Sequence, residues 1–266
     1  MLYICPKCHE KLEKENNSYK CLNKHTYDIS SKGYVNFLLN NDKNSINPGD
    51  SKDSLQSRNS FLKKDYYSFI LNKVIYTINN YKKSDNYKLL DIGCGEGYYT
   101  SNIKTKNNEI YGFDISKDGI ALATKYNKNE INWFVANSKN IPIEDSSINI
   151  VLAMFSFVTP SEIERVLKEN GIIIQVCAGK NHLIELKKEI YNDIKEKDEN
   201  NTLLPFNLIN KEEYTTNITI DNNEDILNLF KMTPHYYKTK QEEKNKIEEL
   251  NSINLTIDIV INVYKI

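Results

Sequence analysis

The stretch Lys88-Leu89-Leu90-Asp91-Ile92-Gly93-Cys94-Gly95-Glu96-Gly97-Tyr98-Tyr99 decides the fold of this chain. A short apolar run leads straight into three glycines at alternate positions, and a helical pattern follows. That order reads as strand, tight turn and helix. Glycine lets backbone approach a ligand where a β-carbon would collide. A dinucleotide-binding turn would want its third glycine at position 98, which is Tyr98 here. The next apolar run, Ile110-Tyr111-Gly112-Phe113, ends on Asp114. A carboxylate there can accept from both hydroxyls of a ribose.

Working outward, short β-type runs alternate with helical ones. Strands are expected over 88–92, 109–113, 132–135, 148–154, 171–177 and 254–264. Helices are expected over 97–105, 117–126, 160–169 and 181–197. Leu55, Phe61, Leu62, Tyr66, Phe69, Ile70, Val74 and Ile75 recur at helical spacing and predict a helical region over 54–81. This alternation predicts an α/β domain with a mostly parallel sheet covered by helices on both faces. The glycine spacing suits the amino-acid end of S-adenosylmethionine better than a pyrophosphate. With Asp114 in place, it implies a Rossmann-like, class I methyltransferase. Gly93, Gly95 and Gly97 would border the cofactor, and Asp114 would hold its ribose. Asn137, just past the third strand, would lie by the adenine. Arg165-Val166-Leu167-Lys168-Glu169-Asn170-Gly171 reads as the end of a helix and a turn into the fifth strand.

The N-terminus has a different character. Cys5-Pro6-Lys7-Cys8 followed by Cys21-Leu22-Asn23-Lys24-His25 spells C-x2-C-x12-C-x3-H. Two residues between cysteines let one turn aim both sulfurs at one ion, and the second pair completes a tetrahedron. Such a closed quartet fits one structural zinc per chain rather than a catalytic ion, which keeps an open position. His9 adjoins Cys8 and is the less suitable histidine. Asn16-Asn17 sits where a hairpin tip belongs. The segment after Cys21 reads as knuckle and strand rather than as a DNA-reading finger helix. A module this small buries little surface, so the metal would supply much of its folding free energy. The expected organisation is a zinc-binding module over 1–40, a linker and helical region over 41–86, and the methyltransferase domain over 87–266. The linker is polar and turn-rich between Asn40 and Ser51.

Composition narrows the function. The chain has 266 residues, 39% of them hydrophobic, which suffices for a real core. No apolar run approaches the length of a membrane span, about 18 residues or more, and no signal-peptide core opens the sequence. Five cysteines, three of them crowded near histidines, favour a metal over disulfides. A cytoplasmic enzyme without membrane contact is the expectation. The net charge of −1 hides an asymmetry: residues 1–88 hold 15 Lys and Arg against 9 Asp and Glu, and the rest hold 20 against 27. A basic front half, with Lys24, Lys32 and Arg58 among its cations, points to a polyanionic partner.

The fourth strand runs into Phe155-Ser156-Phe157-Val158-Thr159-Pro160. It lacks the Asn/Asp-Pro-Pro-Tyr of exocyclic-amine methylation and the Pro-Cys of attack on pyrimidine carbon. A ring nitrogen, an oxygen or a small molecule remains.

Several motifs together resemble one family. They are the zinc quartet, Lys32-Gly33-Tyr34-Val35-Asn36, Pro48-Gly49-Asp50-Ser51, the Arg58 helix, the glycine motif, His182-Leu183-Ile184-Glu185-Leu186-Lys187 and Met232-Thr233-Pro234. The chain resembles the 23S rRNA (guanine-N1) methyltransferases over nearly its whole length. The resemblance implies methylation of guanine in a hairpin of 23S ribosomal RNA, a zinc module that helps grip RNA, and a homodimer. It also implies cofactor contacts from Tyr67, Gly95, Glu96 and His182. Family members often carry Tyr-Ala-Pro where this chain has Phe157-Val158-Thr159-Pro160. The rival readings are a small-molecule methyltransferase of the same fold and an RNA-binding protein with a relic cofactor site.

Overall fold

The computed structural model describes residues 1–39, 49–126, 130–194 and 204–266. Residues 40–48 of the expected linker therefore lie outside the described residues. Among those described, three short strands make a small antiparallel sheet: β1 (Glu13–Glu15), β2 (Ser18–Lys20) and β3 (Thr26–Asp28). Glu15 pairs with Ser18, so Asn16-Asn17 is the hairpin tip, with Asn16 at φ 52°. Asparagine tolerates that left-handed conformation better than most residues.

Eight strands form the main sheet. They are β4 (Val35–Asn36), β5 (Lys88–Ile92), β6 (Glu109–Asp114), β7 (Ile131–Val135), β8 (Ile148–Met154), β9 (Leu167–Ala178), β10 (Asn207–Ile220) and β11 (Ile253–Lys265). Their order is β10-β11-β9-β8-β5-β6-β7-β4. The pairs from β4 through β9 are parallel, while β11 runs antiparallel between β9 and β10. The central strands are apolar almost throughout, as burial on both faces demands. After β5 the chain builds outward through β6 and β7, then returns to the other side of β5 with β8. That reversal places a crevice at the carboxyl end of β5.

The helices differ from the sequence reading in instructive ways. The stretch expected as one helical region is two helices, α1 (Lys52–Leu62) and α2 (Ser68–Tyr81). Ser51 caps α1 by accepting from the Ser54 N–H. The break at Asp65 (φ 60°) is pinned from outside: Lys64 Nζ and Tyr66 Oη both donate to the buried Asp225 carboxylate, at 2.7 and 3.1 Å. Asp225 belongs to α7 (Asn223–Lys231). The helix expected over 160–169 stops at Val166 (α5, Pro160–Val166), because Leu167 is buried and pairs with Ile148 in the sheet. The helix expected over 181–197 is confined, in the described residues, to α6 (Ile184–Ile190). Strand β10 is missing from the sequence reading altogether. The helices α3 (Tyr98–Ile103) and α4 (Lys117–Ala123) fall where expected, each shorter than its predicted span.

The small sheet does not stand apart. Ile4 and Glu144 N–H groups bond to the Pro142 and Leu2 carbonyls across the junction. Tyr3 packs edge-on against Tyr19, Tyr111 and Phe134 and tilts against Phe37. One continuous core therefore runs from the N-terminal segment into one face of the main sheet, and β4 extends that sheet beside β7.

Candidate active site and metal centre

Cys5, Cys8, Cys21 and His25 converge, with their ligand atoms within 4.8 Å of one another. The His25 Nδ1 atom lies 3.4 Å from the sulfurs of Cys5 and Cys8 and 3.5 Å from that of Cys21, and the Cys8 and Cys21 sulfurs are 3.7 Å apart. Zn–S bonds of about 2.3 Å and Zn–N bonds of about 2.0 Å at tetrahedral angles place neighbouring ligands about 3.5–3.8 Å apart. The donor set therefore fits zinc in both chemistry and spacing. The Cys8 thiol is drawn down to about 6, first by the Asn23 side chain and then by the Glu10 backbone. Tyr27 lies within hydrogen-bond distance of Cys5 Sγ, 3.2 Å away. Sequence reading passed over Tyr27 because a tyrosine in a strand carries no ligand signal. His9 is exposed and stands outside the quartet.

At the carboxyl end of β5 the three glycines all take positive φ: 73° at Gly93, 57° at Gly95 and 85° at Gly97. They serve different purposes. A β-carbon at Gly97 would lie 2.7 Å from Ala123 Cβ and 2.8 Å from the Trp133 ring, so that glycine allows helix-to-sheet packing. A β-carbon at Gly93 would meet the Ser156 side chain at 2.7 Å. At Gly95, apart from its own chain neighbours, it would meet only Arg58 Nη1, at 3.1 Å. Gly95 thus opens onto a cradle.

Acids surround this cradle, Asp91 and Glu96 buried and Asp114 half-buried. Asp114 ends β6, and its two oxygens accept from the N–H groups of Gly95 (3.0 Å) and Ser116 (2.7 Å). Each oxygen keeps a second lone pair for a ligand hydroxyl. Glu96 is almost fully buried, with Arg58 Nη1 4.0 Å from its carboxylate. Burial raises the proton affinity of both carboxyls. Asp91, deeper in β5, is pushed up to about 7 by burial, against the opposing bond from Thr100.

Tyr67 caps α2 from the N-terminal side and is buried, and its hydroxyl has no hydrogen-bond partner among the described residues. The buried Tyr99 hydroxyl is in the same condition. His182 lies in the turn ahead of α6, its ring 6.2 Å from that of Tyr67, and its Nδ1 accepts from the Asp258 N–H at 3.3 Å. Asn137 follows β7, and its side-chain oxygen accepts from the Lys139 N–H. Orphaned buried hydroxyls, an open glycine and a cluster of acids fit a hydroxylated, cationic ligand, which is what S-adenosylmethionine is.

Two groups escaped the sequence reading. Ser156 Oγ donates to the Ile92 carbonyl at 2.6 Å, latching the turn after β8 onto the glycine loop. Its neighbour Phe155 is held at φ 52°, and Phe157 is 97% exposed. Arg58, expected at the surface as an RNA contact, instead turns inward onto Asp50 (2.5 Å).

Comparison with known proteins agrees with this geometry. Residues 90–175 match the family described as a methyltransferase domain, and residues 3–46 match the one described as RlmA, N-terminal. The chain is 28% identical to the Bacillus subtilis (strain 168) protein YxjB, a candidate 23S rRNA (guanine-N1) methyltransferase, over 98% of this chain and 95% of that one. It is 24% identical to the 23S rRNA (guanine(748)-N1) methyltransferase of Streptomyces fradiae, over 97% and 95%. Among solved structures, a candidate type II methyltransferase from Anaeromyxobacter dehalogenans superposes with a TM-score of 0.55 at 13% identity, covering 73% of this chain and 95% of its own. That likeness concerns the fold.

Proposed function

We propose that this chain methylates N1 of a guanine in 23S ribosomal RNA, as a methyltransferase that carries an RlmA-type N-terminal zinc ribbon. The observation that carries the proposal is the span of the likeness. Ribbon and methyltransferase domain together align almost end to end with relatives named for that reaction. A small-molecule methyltransferase of the same fold has no evident use for the ribbon.

The cofactor, when bound, supplies an electrophilic methyl group. Gly95, Asp114, Glu96, Tyr67, His182 and Asn137 are the residues we assign to hold it, with Gly93 and Gly97 shaping the loop. The chain's task toward RNA is to present one guanine, splayed from its hairpin, at the strand ends. Phe155 and Phe157 lie at that rim, and exposed rings there can stack on an extruded base. A bulky residue in left-handed backbone is costly and persists where surrounding structure enforces it. Here the Ser156 latch does so. Much of the rate would come from holding nitrogen and methyl carbon in line. The zinc ribbon, docked on the same sheet, would extend the grip along the RNA backbone. A homodimer and a cytoplasmic place of action complete the proposal, and sedimentation of the zinc-loaded protein checks the first.

A methyl group on N1 blocks Watson–Crick pairing, so reverse transcriptase halts one nucleotide before it. Incubating unmodified 23S rRNA with the protein and S-adenosylmethionine should create such a halt in one hairpin loop. Methyl transfer to a metabolite pool with none to rRNA would overturn the assignment.

A further inference from the structure

The glycine loop and Asp114 account for the ribose side of the cradle, but they offer no cation for the other end of the cofactor. Arg58 does. It projects from α1, and its Nη2 is tied to Asp50 Oδ2 at 2.5 Å and to the Met232 carbonyl at 3.4 Å. Its Nη1 faces the cradle, 3.1 Å from where a Gly95 β-carbon would lie. That nitrogen stops 4.0 Å from Glu96, beyond hydrogen-bond reach. A guanidinium placed only to brace α1 would close on the adjacent carboxylate. This one holds back: among the described residues its hydrogen bonds come from Nη2 alone, which leaves Nη1 beside Gly95 able to donate to a ligand.

The neighbourhood explains how a cation can reside there. Asp50, Glu96 and Asp114 all act on Arg58 and hold its charge against the cost of burial. The same arrangement sets both signs side by side at one end of the cradle. An amino-acid zwitterion needs that: a cation for its carboxylate and acceptors for its ammonium. Guanidinium matches carboxylate geometrically, with two parallel donors, which a lysine cannot reproduce.

We propose that Arg58 receives the α-carboxylate of the methionyl tail of S-adenosylmethionine and so selects for the intact amino-acid end of the cofactor. The inference rests on the cofactor, not on the RNA substrate, and its test needs no methyl transfer. Titration calorimetry on the zinc-loaded full chain would compare S-adenosylmethionine with its decarboxylated form. Wild type should discriminate between them by about tenfold to a hundredfold, the range for a charge-assisted pair. Arg58→Met should lose a similar factor for S-adenosylmethionine and bind both forms alike. The two losses are then the same interaction counted twice. Equal binding of both forms by wild type would overturn the proposal. So would discrimination that survives in Arg58→Met, or an equal loss for both forms, which is the signature of a merely structural brace. If Arg58→Met fails to fold, Arg58→Lys decides. It keeps the charge but loses the fork, and discrimination should fall severalfold, with an unchanged ratio counting against the proposal. Absence of any S-adenosylmethionine binding by wild type would instead be a failure of the cofactor assignment.

Discussion

At the scale of single residues, the glycine motif carries two kinds of requirement that spacing alone cannot separate. Gly97 is closed in by Ala123 and Trp133, whereas Gly95 faces the cradle. Gly97→Ala should therefore lower the melting temperature markedly. Gly95→Ala should leave it within a few degrees of wild type but weaken S-adenosylmethionine binding at least tenfold. Thermal melts and calorimetry on both variants check this, and a shared loss of stability would refute the distinction. Asp91 makes a second case. Its folded-state proton affinity corresponds to about 7, above the ordinary carboxylate value. The native state thus holds the proton more tightly than the unfolded chain, and stability falls as pH rises from about 4 to about 7. By linkage the loss approaches about 4 kcal/mol above that window. Asp91→Asn should flatten the slope of urea-derived stability between pH 5 and 8 in the cofactor-free protein. The convergence of the zinc quartet was legible because short sequence spacing within each pair brings its ligands together. The inward turn of Arg58 was not, since its partners at Asp50, Glu96 and Met232 come together only in three dimensions.

At the scale of elements, the central strands were readable because burial on both faces makes them apolar runs; each expected strand lies within one residue of the observed one, except β9, which begins four residues ahead of the expected 171. Edges and breaks were not. Strand β10 sits at the sheet margin, where Lys211 and Glu213 are exposed and Glu212 is half-buried, a run of charges that hides the strand pattern, though such charges also guard an edge against stray pairing. Helix α5 ends early because pairing of Leu167 with Ile148 overrides local helical preference. The α1–α2 break depends on Asp225, which gathers Lys64, Tyr66 and Asn222. Burial opposes its charge, but those donors win, so its folded-state proton affinity is lowered. Its contribution is present at neutral pH and is lost as pH falls through the ordinary aspartate range. Asp225→Ala should destabilise the protein at pH 7 by removing the acceptor shared by Lys64, Tyr66 and Asn222, and less so at pH 3. Denaturant melts at the two values measure the difference, and an identical loss at both would argue for packing alone.

At the scale of the whole molecule, the charge asymmetry read from the sequence divides into two populations once folded. Lys24 and Lys32 stand exposed on the ribbon side, whereas Arg58 is anchored at the cradle through Asp50, with Glu96 4.0 Å away. These cations should therefore fail in different assays. Phosphate contacts release counterions, so RNA affinity should fall with salt on a log–log line whose slope reflects the number of such contacts. Replacing Lys24 and Lys32 by Ala should weaken 23S rRNA binding uniformly and make that slope shallower by about one unit per lysine, with S-adenosylmethionine affinity unchanged. Arg58→Lys should leave the slope alone and alter cofactor binding. The ribbon is joined to the main sheet through Tyr3, Phe37 and the Pro142 junction, so its exposed lysines hold a fixed position relative to the cradle. A flexible tether would let the two act independently, while a rigid junction makes them measure one distance along the RNA. Filter binding across a salt series, with each variant in parallel, decides the matter. Slopes that stay equal in wild type and the double-lysine variant would remove the ribbon from the RNA contact, and the family's zinc module would then act on the fold alone.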